Sequence, residues 1–222
     1  MKARIALIFA TALTTVALFA AGEDHPVTIK QLPPKITRRP FDRKRPPPQM
    51  PKLTAAESGV CHFEVTCDAG IGFLVDTIDP HTVEVEVDSV DAVLSLPIDV
   101  WVGIGTPPKL GQHEEGHRQI CEDYYKGADV IARDLAKAMI GKKARATGRD
   151  KKDAQARAQD QLLTQYNAAY MHAVRDRMRQ AQDHYDLITI HGLKPIAEKD
   201  AIAQAEALVQ EGKIPPPDPS IK

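Results

Sequence analysis

The chain has 222 residues, with 29 basic and 30 acidic side chains and a formal net charge of −1 at pH 7. That length holds one ordinary domain with appendages and enough chain to bury a core. The balanced charge excludes a whole-molecule field of the kind that draws a protein onto nucleic acid.

Residues 1–21 begin with Lys2 and Arg4, continue as an apolar run and end in small residues before Glu23 and Asp24. This pattern predicts a cleaved signal peptide, a mature chain starting near Gly22 or Glu23, and a periplasmic or secreted location. The apolar run is too short for a comfortable span and no stop-transfer pattern follows, so the mature chain is expected to have no transmembrane segment. Residues 22–53 carry Pro33, Pro34, Pro40, Pro46, Pro47, Pro48 and Pro51 among Lys30, Lys35, Arg38, Arg39, Arg43, Lys44, Arg45 and Lys52. Too few apolar residues to pack and too many prolines to pair predict a disordered basic linker. Its positive charge also suits weak contact with an anionic envelope surface.

A globular domain is expected over residues 54–211, starting near Thr54. Asp79-Pro80-His81 marks a turn, and residues 82–88 then alternate strictly, which predicts a strand with Val83, Val85 and Val87 inward and Glu84, Glu86 and Asp88 outward. A second extended run, residues 92–104, contains Pro97 and Trp101; the proline predicts an edge position or a strand break. An edge strand just before a metal-binding helix would let an extended peptide add by main-chain hydrogen bonds.

A Gly/Pro-rich turn leads into a helical pattern over residues 111–140, with an apolar stripe through Ile120, Cys121, Tyr124, Ala128, Ile131, Leu135 and Met139. Traced backwards, that stripe reaches His117 and His113. After a basic connection read as flexible (residues 141–149), a second helix is expected over residues 151–185, with its stripe on Ala154, Ala158, Leu162, Tyr166, Ala169, Ala173, Met178, Ala181 and Tyr185. Pairing the two as an antiparallel hairpin returns His184, Tyr185, Asp186 and His191 to the start of the first helix. A last helix near residues 196–210 precedes a proline-rich tail, residues 212–222, read as disordered.

The chemistry centres on His113-Glu114-Glu115-Gly116-His117, an HExxH pattern. On a helix, histidines four apart share a face and can ligate one Zn2+, with Glu114 beside a metal-bound water as general base. The third ligand is expected to be His191, with Asp186 as runner-up and His184 behind it; Glu122 points around the helix. Tyr185 is a candidate oxyanion donor, with a packed aromatic as the alternative. His62 and His172 lack any motif. Gly116 inside the helix costs about 1 kcal/mol relative to Ala, which implies close approach of another element.

Three cysteines fit an oxidising compartment incompletely. Cys61 and Cys67 could close a small disulfide loop. Cys121 is then left as a buried small hydrophobe or as a partner for either.

The residues resemble a bacterial family of predicted secreted zinc-dependent proteases, classed as a domain of unknown function. The resemblance rests on Leu96-Pro97 before Trp101, on HEEGH at 113–117, and on Tyr185-Asp186-x-x-Thr189-x-His191-Gly192. It spans about residues 82–192 and implies His113, Glu114 and His117 as metal ligands and base, with Tyr185, Asp186, Thr189, His191 and Gly192 as the other half of the site. The three residues between Pro97 and Trp101 exceed the expected gap.

These observations predict an α+β fold: a small antiparallel sheet followed by a long antiparallel helical hairpin carrying a zincin-like HExxH site. The expected activity is zinc metallopeptidase acting on a protein or peptide substrate, with no nucleic acid partner. The competing expectation is a non-catalytic envelope protein whose hairpin and basic arm bind a partner, with a structural metal or none.

Overall fold

A computed structural model describes residues 26–53 and 57–216. The expected signal peptide, the expected domain start at Thr54 and the last six residues of the tail lie outside the described residues.

The alternating segment forms the spine of a mixed α+β fold. Strand β5 (Thr82–Ser95) buries Val83, Val85 and Val87 completely. The buried set then changes parity to Val90, Ala92 and Leu94. The cause is a slip in register with β4 (Thr66–Asp79): Phe73 faces Val87 while Gly72 faces Ser89, so Asp88 is the extra residue of a β-bulge. β4 pairs antiparallel along one edge of β5. The other edge is shared by β1 (Val27–Gln31), which is parallel, and β7 (Lys143–Thr147), which is antiparallel.

Leu96 interrupts the spine, and β6 (Pro97–Gly103) continues it as the centre of a second sheet between β2 (Lys35–Phe41), parallel, and β3 (Gly59–Phe63), antiparallel. Main-chain bonds carry the pairing across the bend: Leu32 N to Leu94 O at 3.0 Å, Lys35 N to Leu96 O at 2.9 Å and Glu64 N to Pro97 O at 3.1 Å. Pro97 has no N–H to give and stands at the first residue of its strand, where none is required. The expected strand break is thus present at Leu96, but the Pro97 segment is central and the edges of this sheet are β2 and β3.

Two segments read as unstructured are strands. In the expected linker, Val27, Ile29 and Ile36 pack onto the core, and Pro33-Pro34 occupies the break between β1 and β2. The basic residues are accommodated one by one. Arg38 pairs with Glu115 at 2.6 Å, while Arg39 pairs with Asp99 at 3.0 Å and lies over the Trp101 ring at 5.1 Å. The basic connection forms β7 because its charges match β5: Arg145 faces Glu84, and Lys143 faces Glu86 with its Nζ 3.3 Å from Glu84 and 3.2 Å from Glu86. The sheet is thus not small and antiparallel; two mixed sheets of four and three strands take its place.

The first helical pattern splits into α1 (Pro108–Tyr125) and α2 (Ala128–Met139). Gln31 bridges the split: its Nε2 donates to Tyr125 O at 2.8 Å and its Oε1 accepts from Asp129 N at 3.0 Å. One side chain of β1 thereby satisfies the end of one helix and the start of the next. The second pattern forms α3 (Lys151–Met171) and α4 (Arg177–Thr189), joined through a single π turn, His172–Asp176. The buried stripe keeps a spacing of four through Tyr166, Tyr170, Val174 and Met178, so Tyr170 and Val174 are buried in place of the expected Ala169 and Ala173. α2 and α3 cover the first sheet, α1 lies on β3 and β6, and α4 packs against α1 and α5 (Glu198–Gln210). Among the described residues no helix is long and apolar enough to cross a membrane.

Candidate metal centre

α1 begins with proline at its first turn, where a missing N–H costs nothing, and places His113 and His117 on its buried face. Asp186, on α4, meets them there. Its Oδ1 lies 3.0 Å from each histidine Nε2, and the two Nε2 atoms are 3.1 Å apart. Their ligand atoms all fall within 4.8 Å of one another. Two imidazoles and one carboxylate make a borderline donor set suited to zinc, and a triangle of this size suits ligand distances of roughly 2.0–2.2 Å.

The other ring nitrogens are fixed by neighbours whose own hydrogens are already committed. Gln182 Nε2 donates to His117 O at 2.9 Å and to Cys121 Sγ at 3.1 Å, so its Oε1 accepts from His117 Nδ1. Thr189 Oγ1 donates to Tyr185 O at 2.7 Å and accepts from His113 Nδ1 at 3.4 Å. Both histidines are therefore held with a proton on Nδ1 and with Nε2 turned inward toward Asp186, the nitrogen left for a metal.

His191, the first choice from sequence, is not in this group. α4 ends in a left-handed turn, Ile190 (φ 51°), His191 (φ 48°) and Gly192 (φ 77°), that folds the chain back over Asp186. His191 Nδ1 then lies 3.4 Å from Asp186 Oδ1, against the carboxylate's flank. A β-branched residue in that region costs of order 1–3 kcal/mol. Gly192 is required on two counts: its φ is positive, and a Cβ there would stand 2.8 Å from His113 Cβ. His184 turns away, with Nε2 3.0 Å from Lys213 O, and Glu122 pairs with Arg118.

Tyr185 also departs from expectation. It is fully buried, stacks on His113 with ring centroids 4.9 Å apart, and gives its hydroxyl to Glu198 on α5. The packed-aromatic alternative describes it, and a hydroxyl engaged there does not face the cleft. It also accounts for Gly116, where a Cβ would fall on the Tyr185 hydroxyl and 2.6 Å from Cζ.

Charge is unevenly held in the cluster. Burial alone would lower His117, but the Asp186 carboxylate raises it to about 10. Burial keeps His113 below its ordinary value. Burial would raise Asp186, yet the His117 charge and hydrogen bonds from His113, His117 and His191 hold it far below the usual carboxylate range. The site is thus a pocket that stabilises one positive charge against Asp186.

Glu114 completes the group. Burial pushes it up to about 7, partly offset by His117 and by the Cys61 backbone N–H. It faces a cleft of about 140 Å³ whose walls include Ser58, Val60, Leu110, Asp186 and His191. One wall is β3, which packs so closely on α1 that a Cβ at Gly59 would sit 2.8 Å from Glu114 Cγ. Gln182 and the β3 wall were not anticipated. Gln182 had a signal in the sequence: residues 182, 185, 186 and 189 share one helix face.

Comparison with family models, curated proteins and solved structures returns no match for the chain.

Proposed function

We propose that the chain is an exported zinc-dependent metallopeptidase, with His113, His117 and Asp186 holding the metal and Glu114 acting as general base. The zincin-like site is set between the antiparallel faces of α1 and α4. The observation that carries the reading is the donor triangle with sides of 3.0, 3.0 and 3.1 Å, both outer Nδ1 atoms fixed and a buried glutamate alongside. A closed structural site has no use for that glutamate. The sequence resemblance to predicted secreted zinc proteases points the same way.

Bound there, zinc would supply a Lewis acid and a water whose pKa falls toward about 7. Glu114, held near 7 by burial, suits a proton acceptor at neutral pH that later returns the proton to the leaving amine. Gln182 and Thr189 keep the imidazoles oriented while this happens. His191 lines the cleft beside Asp186. β3 offers a main-chain track for an extended substrate. Ser58 O accepts from Gly103 N and Glu64 N gives to Pro97 O, so the even-numbered residues bond β6 while Gly59 and Phe63 turn their main-chain groups outward and Cys61 turns its N–H to Glu114.

The test is metal analysis and hydrolysis of a quenched fluorescent peptide mixture by the wild type and three variants. About one zinc per chain is expected in the wild type, as one three-ligand site requires. Glu114→Gln should keep zinc and lose hydrolysis, Asp186→Ala should lose both, and His191→Ala should keep zinc. A wild type that binds no zinc overturns the reading. Zinc without hydrolysis of any peptide leaves a structural metal in a non-catalytic protein.

A further inference from the structure

We propose that Cys61 and Cys121 form a disulfide that clamps the outer strand β3 to helix α1 directly beneath His117. The structure leaves all three thiols free and sets these two side by side: Cys61 lines the cleft with His117 and Gln182, Gln182 Nε2 also lies on the Cys121 sulfur, and Cys61 packs on the core that holds Cys121. Their elements are pressed together at two further points: Gly59, two residues before Cys61 on the same face of β3, leaves no room for a Cβ against Glu114, and the Cys61 N–H bonds the Glu114 carboxylate. Cys121 lies one turn beyond His117 on α1 and is fully buried, with Gln182 Nε2 on its sulfur at 3.1 Å.

Cys67, the partner suggested by sequence spacing, is placed elsewhere. Cys61 faces Val100 in the second sheet, whereas Cys67 faces Leu94 in the first, with the bend between them. The Cys67 thiol instead meets the Tyr166 hydroxyl under α3. The three free cysteines thus divide into one neighbouring pair and one thiol apart from both.

The oxidant is a small or protein disulfide, RSSR, of the kind an exported chain meets. The thiolate of one cysteine attacks RSSR, forms a mixed disulfide and expels RS⁻. The second thiolate attacks the protein sulfur of that mixed disulfide and expels the other RS⁻. The two protein protons end on the two leaving thiolates, so two thiols are oxidised and one RSSR is reduced to two RSH. β3 is hydrogen-bonded to a neighbouring strand on one side alone, and the bond ties its other side to the helix that carries the metal ligands. It fixes the width of the cleft.

The test uses the full chain, unfolded and refolded in a glutathione redox buffer, acid-quenched, alkylated under denaturing conditions and mapped by proteolysis and mass spectrometry. The expected result is a Cys61–Cys121 linked peptide with Cys67 alkylated, unchanged in Cys67→Ser. The linked wild type should also melt at a higher temperature than the same sample after reduction. A Cys61–Cys67 linkage, or three alkylated cysteines after refolding, overturns the proposal.

Discussion

The Tyr185 ring lies nearly flat on the His113 imidazole, with planes 9° apart and centroids at 4.9 Å, and its hydroxyl reaches past Gly116 to Glu198. A residue of the proposed metal site is thereby braced by an aromatic ring that is itself anchored to a third helix. Gly116→Ala should drive the ring off this seat. The expected cost is about 1–3 kcal/mol of stability, the usual penalty for overpacking, together with weaker zinc binding. Calorimetric melting and a zinc titration with a competing chelator measure both.

Tyr185→Phe separates bracing from chemistry. The ring stack survives, so zinc affinity should hold and kcat should fall by less than about tenfold. Loss of an oxyanion donor would instead cost about 10²–10³ in kcat, and such a loss would restore the role expected from sequence.

Gln182→Ala removes the acceptor on His117 Nδ1 and the donor to Cys121. Zinc affinity should drop about 10–100-fold, the typical effect of removing a ligand's outer hydrogen bond. Gln182→Glu keeps the acceptor and should recover part of the loss. Equal loss in both variants would count against this role for the side chain.

Gln31→Ala should destabilise the protein by about 1–3 kcal/mol, because two main-chain groups at the α1–α2 break lose their partner. Each kcal/mol corresponds to about 2–4 °C in Tm for a chain of this size. A neutral result would mean that solvent reaches the break.

Alkaline conditions should destabilise the protein. Burial raises the Cys67 thiol to about 11 and the Tyr125 hydroxyl to about 12, and raises Tyr166 and Tyr170 as well. Each group is neutral in both states at low pH. Between its unfolded and folded pKa the unfolded chain has released a proton that the native state still binds, so stability falls as pH rises. For Cys67 the window runs from about 9 to 11. Denaturant midpoints at pH 8 and 10.5 should show the drop, and Cys67→Ser should reduce it.

Periodicity in the sequence found what depends on a repeating pattern. Val83, Val85 and Val87 lie inward as the alternation requires, and Ala154, Ala158, Leu162 and Tyr166 lie on the buried face of α3. What escaped was set by contacts between distant residues. Arg38 and Arg39 read as solvated charge until Glu115, Asp99 and Trp101 are brought alongside. The HExxH pair was legible from spacing on one helix. The third member of the cluster was not, because the choice between Asp186 and His191 turns on a left-handed bend at Ile190 that residue type alone disfavours.

The parallel pairing of β1 with β5 and of β2 with β6 joins residues about sixty positions apart: Val27 meets Val90 and Lys35 meets Pro97. β1 and β2 precede their neighbours in the chain, and their pairing waits for β5 and β6 to form and for a loop of that length to close. Until then one long side of β5 and β6 is bare, open to pairing with any other extended chain. The closure of these two parallel pairings therefore shortens the time for which each new molecule is open to aggregation.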